Sequence, residues 1–264
     1  MRHAITALVI SSISIFVVAV PAAAAVSPLR TGEFSSREAA LGWMNGYRAK
    51  REPAQVPQAV QAMSRLGVFK DPENAGAFVG FVAGILATNP AQADALVEKM
   101  LPLPPEDQWA VVEAIAYSGL PDWKALMGRF ASRMPARHLM IEKYLASELP
   151  TLDQAGFERS PGAFQKLGGY LGLAGRHEHK SVVLAPSPAL LDELWGYYFA
   201  TGTFNPAISR IIALMSWAND RDDVDRLTLG GMAKYTLAAN ATRDPKLLAM
   251  LRTVAPHYSK EAKQ

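Results

Sequence analysis

The stretch LLDELWGYYFATGTFNPAISRIIALM, from Leu190 to Met215, decides the fold class of this chain. Apolar side chains three and four residues apart share one face of a helix, and five here follow that spacing: Leu191, Leu194, Trp195, Tyr198 and Phe199. Gly202 is a typical helix end, and Asn205-Pro206 a typical helix start. The stretch therefore predicts two helices joined by a short turn, with the aromatic rings packed between helices rather than displayed to a ligand. Tyr197 lies off the stripe and is expected to face solvent or a neighbouring hairpin.

A second stretch, AFVGFVAGILATNPAQADALVEKM from Ala77 to Met100, has a similar layout. Gly80-Phe81 precedes Gly196-Tyr197 by 116 residues, and Asn89-Pro90-Ala91 precedes Asn205-Pro206-Ala207 by the same 116. The shared pattern indicates that the chain reuses one helical hairpin, in which each copy buries a face against the next.

Short polar residues before proline recur along the chain, as in Asp71-Pro72, Ser187-Pro188 and Asp244-Pro245. Such a pair favours a helix start, because the side chain caps free backbone N–H groups and proline has no N–H to leave unpaired. Only residues 181–184 have the composition of a short strand. The sequence predicts an all-α protein of antiparallel helical hairpins, stacked as a solenoid-like or irregular helical array.

The N-terminus has the features of a secretory signal peptide. Arg2 and His3 precede an uncharged apolar run, and a small-residue site of alanines follows Pro21. Cleavage is expected after Ala25, so that Val26 begins the mature chain; cleavage after Ala24 is the alternative. Residues 1–25 are thus predicted to be a Sec-type signal and 26–264 a helical domain, with a subdivision near 150–162 as the alternative. The expected location is the bacterial periplasm or the secreted fraction.

Composition narrows the classes of function. The chain has no cysteine, so neither disulfides nor a lipid-modified cysteine are expected. Its formal net charge is only +3, with no basic face evident, which makes nucleic acid a poor partner. The longest uncharged run after the signal is interrupted by Asn89-Pro90, so no later membrane span is expected.

The best local candidate for chemistry is GRHEHKS, Gly175 to Ser181. His177 and His179 flank Glu178, and histidines two residues apart can both reach a metal from an extended segment. A third ligand is not evident nearby, so a solvated polar loop is the competing interpretation. No cofactor is expected.

Two other polar motifs resemble sites only superficially. Ser118 lacks the first glycine of a nucleophile elbow, and it is expected to end a helix before Pro121. The acidic run from Asn219 to Asp225 lacks the glycine of a calcium loop, and Asp222 or Asp223 is expected to cap a helix.

The stretch FVGFVAGILATNPAQADALVEKMLPLPPEDQWAVVEAIAYSGLPD and the later LLDELWGYYFATGTFNPAISRIIALM together resemble a group of uncharacterised exported all-helical proteins of proteobacteria. The resemblance rests on an apolar helix ending at Asn89-Pro90, a Ser-Gly-x-Pro turn at 118–121 and a Leu-Trp-Gly-aromatic-aromatic segment at 194–202. It covers about residues 75–215 and implies export and helices. It brings no catalytic residue.

Two classes of function remain. The first is an exported helical interaction or scaffold protein of the periplasm, which binds a protein, a peptide or another envelope component and is not an enzyme. The second is a metal-assisted hydrolase that uses His177, Glu178 and His179.

Overall fold

The computed structural model describes residues 34–152 and 187–254. These two ranges contain eleven α-helices and no strand, which confirms the all-α class. The helices are α1 Arg37–Gly46, α2 Val56–Arg65, α3 Pro72–Thr88, α4 Ala93–Met100, α5 Trp109–Tyr117, α6 Trp123–Phe130, α7 His138–Leu145, α8 Pro188–Thr201, α9 Ser209–Met215, α10 Val224–Arg243 and α11 Pro245–Val254.

Capping residues set many of these bounds. The side chains of Asp71, Ser187 and Asp223 accept hydrogen bonds from backbone N–H groups in the first turns of α3, α8 and α10. Gly202 follows the end of α8 and Gly67 lies two residues after the end of α2, with φ of 69° and 73°. Glycine adopts this left-handed backbone without steric cost, so both ends are fixed by sequence.

The two Asn-Pro pairs do not begin helices as expected. Asn89 Nδ2 donates to the Ile85 carbonyl at 2.8 Å, so this side chain caps the end of α3 rather than the start of α4. A short 3₁₀ turn, Pro90–Gln92, then leads into α4. At the second pair, Asn205 is extended within an irregular turn, and α9 begins only at Ser209. Both pairs mark a turn between helices.

The closest helix pair is α3 with α8, whose backbones touch. A Cβ added to Gly80 would lie 1.9 Å from the Glu193 carbonyl oxygen, and one added to Gly196 would lie 2.0 Å from the Ala77 carbonyl oxygen. Gly76 meets α8 near its start, at Ala189. Since residue numbers rise together along both helices, α3 and α8 run parallel.

This pairing is reciprocal under the 116-residue offset seen in the sequence. Gly80 contacts residue 193, and Gly196 contacts residue 77. Adding 116 to 80 gives 196, and subtracting 116 from 193 gives 77, so the offset converts the first contact into the second. The helix starts obey the same offset, since Pro72 and Pro188 open α3 and α8. The two segments are therefore related by a local pseudo-two-fold, as in the isologous interface of a homodimer.

The remaining helices surround this pair. Helix α5 packs on α3, and α6 and α7 pack on α5; α2 packs on α4; α10 packs on α9 and on the turn at 216–219. One continuous apolar core runs through both described ranges. The stack of antiparallel hairpins expected from sequence is not confirmed, because the closest pair joins two parallel helices far apart in the chain.

Candidate functional site

The metal candidate and the signal peptide lie outside the described residues. His177, Glu178 and His179 fall in the range 153–186, and Ala25 and Val26 fall before residue 34. The hydrolase and the export signal therefore stay predictions. Within residues 34–152 and 187–254, no group of three acidic or histidine side chains is placed to hold a metal ion. No helix in the same ranges is long and apolar enough to span a membrane.

The aromatic cluster of α8 lies in the core, as predicted. Trp195 is 5% exposed, and its indole Nε1 donates to Thr236 Oγ1 at 3.0 Å. Its ring stacks on Phe199 at 5.8 Å and meets Tyr198 edge-on at 5.9 Å. Phe199 itself is half-buried at the edge of the core. These rings hold α8 against α10 and offer no open face for a ligand to stack on.

Tyr197 does not face solvent, as the helical stripe suggested it could. It is 7% exposed, and its carbonyl oxygen lies against Gly84 of α3. The periodicity predicted one buried face for α8, whereas the close approach of α3 buries a second. Tyr197 is consequently a core residue.

The other polar motifs have structural roles. Ser118 Oγ donates to the Ile115 carbonyl at 2.7 Å and accepts from the Leu120 N–H at 3.3 Å, so it ends α5. Asp223 caps α10 through the Arg226 N–H at 3.0 Å. Both outcomes agree with the sequence-based expectation.

Arg48, Tyr198 and Asp244 form a network between α1, α8 and α11. The Arg48 guanidinium pairs with the Asp244 carboxylate and donates to the Tyr198 hydroxyl at 3.2 Å, while Tyr198 donates to Asp244 at 2.6 Å. Burial opposes ionisation of Asp244, but the hydrogen bonds from Tyr198 and Arg48 outweigh it and hold the pKa of Asp244 below its usual value. Asp244 also caps α11. These contacts join three helices, so we assign the network a structural role, although the buried Arg48 Nε has no hydrogen-bond partner among the described residues.

Glu113 on α5 and Glu193 on α8 form a second polar cluster, together with Tyr117 and Tyr144. Burial raises the pKa of Glu113 to about 7, against the opposing effect of its hydrogen bond with Tyr117. Burial, and then the charge of Glu113, raise the pKa of Glu193 well above its usual value. Glu193 is 8% exposed, and its Oε2 has no hydrogen-bond partner among the described residues. This environment favours protonated carboxyl groups.

The sequence offered one clue to this cluster. Glu193 is flanked by Leu190, Leu191 and Leu194 on a buried helix, a position where an unpaired charge is costly. Tyr117 and Tyr144 are also buried, at 2% and 3% exposure, so a substrate cannot reach them without displacing the core. We therefore assign the cluster to the interior rather than to a binding surface.

The outer face of α10 is the candidate interaction surface. The inner face buries Leu229, Ala233, Leu237 and Ala241 at four-residue spacing. The opposite face, called here the α10 outer face, consists of uncharged residues and is bordered on one side by the exposed Lys234: Val224, Leu227, Thr228, Gly231, Met232, Tyr235, Ala238, Ala239 and Thr242. Val224 is 72% exposed and Tyr235 is 76% exposed. A surface helix normally carries charged residues on the face opposite its apolar stripe, so this face is unusual.

A small apolar pocket between α1, α2 and α3 is a weaker candidate. Its walls include Trp43, Met44, Val60, Met63 and Phe78, and its lining side chains are all apolar. Ligand sites normally combine an apolar wall with a few polar groups that orient the ligand. We interpret this pocket as a packing gap.

No family model, no curated protein and no solved structure matches this chain.

Proposed function

We propose that this chain is an exported helical interaction protein of the bacterial periplasm, and that the α10 outer face is its binding surface. The observation that carries the proposal is the uncharged face of a 20-residue helix whose opposite face is already buried in the core. An outward helix face without charged residues, and with exposed valine, methionine and tyrosine, is characteristic of a surface that a partner covers.

The free energy available from this face suits protein recognition. Burying a fully exposed valine or methionine side chain contributes about 1.5–3 kcal/mol. Val224 and Tyr235 are the most exposed members, and tyrosine is enriched at interfaces because its ring is apolar and its hydroxyl can find a polar partner. The face lacks the cations that would hold nucleic acid. A helix or extended segment of another polypeptide chain is the class of partner that it matches.

Photocrosslinking in living cells tests the binding surface. A photoreactive phenylalanine analogue replaces Tyr235 in one variant and Leu139 in the control. Leu139 is 65% exposed on α7, but charged neighbours such as Glu142 and Lys143 surround it. We expect a protein adduct from position 235 and none from position 139. No adduct at 235, or equal adducts at both positions, would overturn the proposed surface.

Export is tested separately by mass spectrometry of the periplasmic fraction. The basic start, apolar run and alanine site predict a chain that begins at Val26, or one residue earlier. An intact Met1 terminus on the isolated protein would contradict the periplasmic assignment, without bearing on the α10 outer face.

A further inference from the structure

We propose that the occupant of the α10 outer face is a second copy of this chain, bound so that the two α10 helices pack antiparallel about a two-fold axis. The inference rests on the proposed function, because it names the partner for the same surface. Side-chain size along the face and the charges on its flank both support this occupant.

Large and small residues alternate so that the face matches itself. When two α10 helices are laid antiparallel with position 233 at the centre, Tyr235 of one copy lies over Gly231 of the other. At Gly231, nothing lies within 4 Å of the place that a Cβ would take, so the space above it is open to a ring. The same register sets Leu227 against Ala238 and Val224 against Thr242. The first two contacts join a larger side chain to a smaller one, which favours close packing, and Val224 and Thr242 are of nearly equal size.

Charges on the flank agree with the same register. Asp225 and Arg243 project from one side of α10, near its two ends, because 18 residues make five helical turns. An antiparallel two-fold brings Asp225 of each copy beside Arg243 of the other. Within the described residues neither side chain forms an ion pair of its own. A parallel pair would instead place Tyr235 on Tyr235 and Asp225 on Asp225. In the antiparallel pair the exposed Lys234, on the other flank, is the charged residue of α10 that lies near its own copy.

The size of the face sets the strength of the dimer. A 20-residue helix is about 30 Å long, so a stripe about 10 Å wide supplies only part of the roughly 800 Å² per partner of a standard interface. We therefore expect a dimer that dissociates on dilution.

Disulfide trapping tests the register directly, since the chain has no cysteine of its own. Full-length Gly231→Cys and Tyr235→Cys chains with different tags are co-expressed in cells and oxidised. We expect a mixed 231–235 disulfide well above the background given by Leu139→Cys, the exposed control on α7. A mixed disulfide no more abundant than that background would overturn the antiparallel register.

A charge exchange provides an independent readout that a folding defect would not reproduce. Sedimentation velocity over a concentration series compares the parent with Asp225→Arg, Arg243→Asp and the double variant. Each single change should weaken dimerisation about tenfold, and the double change should restore it, because the exchanged pair re-forms across the two-fold. A parent that stays monomeric at every concentration, or a double variant no better than the single ones, would refute the dimer.

The photocrosslink at position 235 separates the two proposals. An adduct of twice the chain mass supports the second copy. An adduct with a different protein overturns the dimer but leaves the binding surface intact, and the absence of any adduct overturns both.

Discussion

Replacing Gly80 by alanine tests the close approach of α3 and α8. The new Cβ would lie 1.9 Å from the Glu193 carbonyl oxygen, whereas ordinary contact begins near 3.4 Å. The two helices must therefore separate locally by about 1.5 Å, the difference between these distances. The obstructing atoms belong to backbone, so a rotamer change cannot relieve the clash.

The magnitude follows from two opposing effects. Alanine is a better helix former than glycine by about 1 kcal/mol in a helix interior. Overpacking a core costs about 1–3 kcal/mol and occasionally more, and a shift of a whole helix pair belongs at the upper end. We expect a net loss of about 2 kcal/mol, which lowers the melting temperature of a domain this size by about 4–8 °C. Thermal melts followed by far-ultraviolet circular dichroism measure this fall in melting temperature.

Matched glycines provide the controls. Gly42 in α1 and Gly128 in α6 have nothing within 4 Å of an added Cβ, so alanine there should raise stability by about 0.5–1 kcal/mol. Gly196→Ala should resemble Gly80→Ala, and the double variant should cost less than the sum, because one separation relieves both clashes. A Gly80→Ala protein that melts at or above the parent temperature would refute the backbone contact.

Three further changes probe other parts of the structure. Trp195→Ala should cost about 3–5 kcal/mol by opening a cavity at a buried ring, and a thermal melt that coincides with the parent would contradict its burial. Glu193→Gln should flatten the pH dependence of stability. Because burial raises the pKa of both Glu113 and Glu193, the contribution of this pair to stability is full below pH 4.5 and declines as pH rises, and the variant removes the part due to Glu193. Urea titrations at pH 4.5 and 8 measure the slope, and an unchanged slope in the variant would argue against a raised pKa for Glu193. Asp244→Ala should cost about 2–4 kcal/mol, since it removes a helix cap and leaves Arg48 partly buried without its carboxylate. Asp244→Asn, which keeps a capping oxygen, should melt between the two; equal melts for all three would contradict the network.

Local signals in the sequence were sufficient for the helices and many of their ends. The Asp71-Pro72 and Ser187-Pro188 starts and the glycine at 202 are local chemistry, in which a side chain or a backbone angle decides the outcome within one turn. Burial of Trp195 followed from helical periodicity for the same reason.

Local signals did not predict the long-range contacts. The offset of 116 residues was visible in the sequence, but it indicated repeated hairpins and not two parallel helices in backbone contact. Of the two alternatives for Tyr197, the structure has the one in which it packs on a neighbouring helix, and a single stripe could not decide between them because it does not reveal a second covered face. The outer face of α10 was missed because uncharged residues such as Gly231 and Ala238 resemble a buried helix until the packing is known.

The separation of α3 and α8 along the chain also shapes how the protein folds. Closing a loop of 116 residues costs about 4 kcal/mol of chain entropy beyond a constant, so this contact forms only after much local structure exists. Until α8 docks, the glycine-lined side of α3 has no partner. The unfolded chain is therefore exposed to aggregation for as long as this one contact is missing.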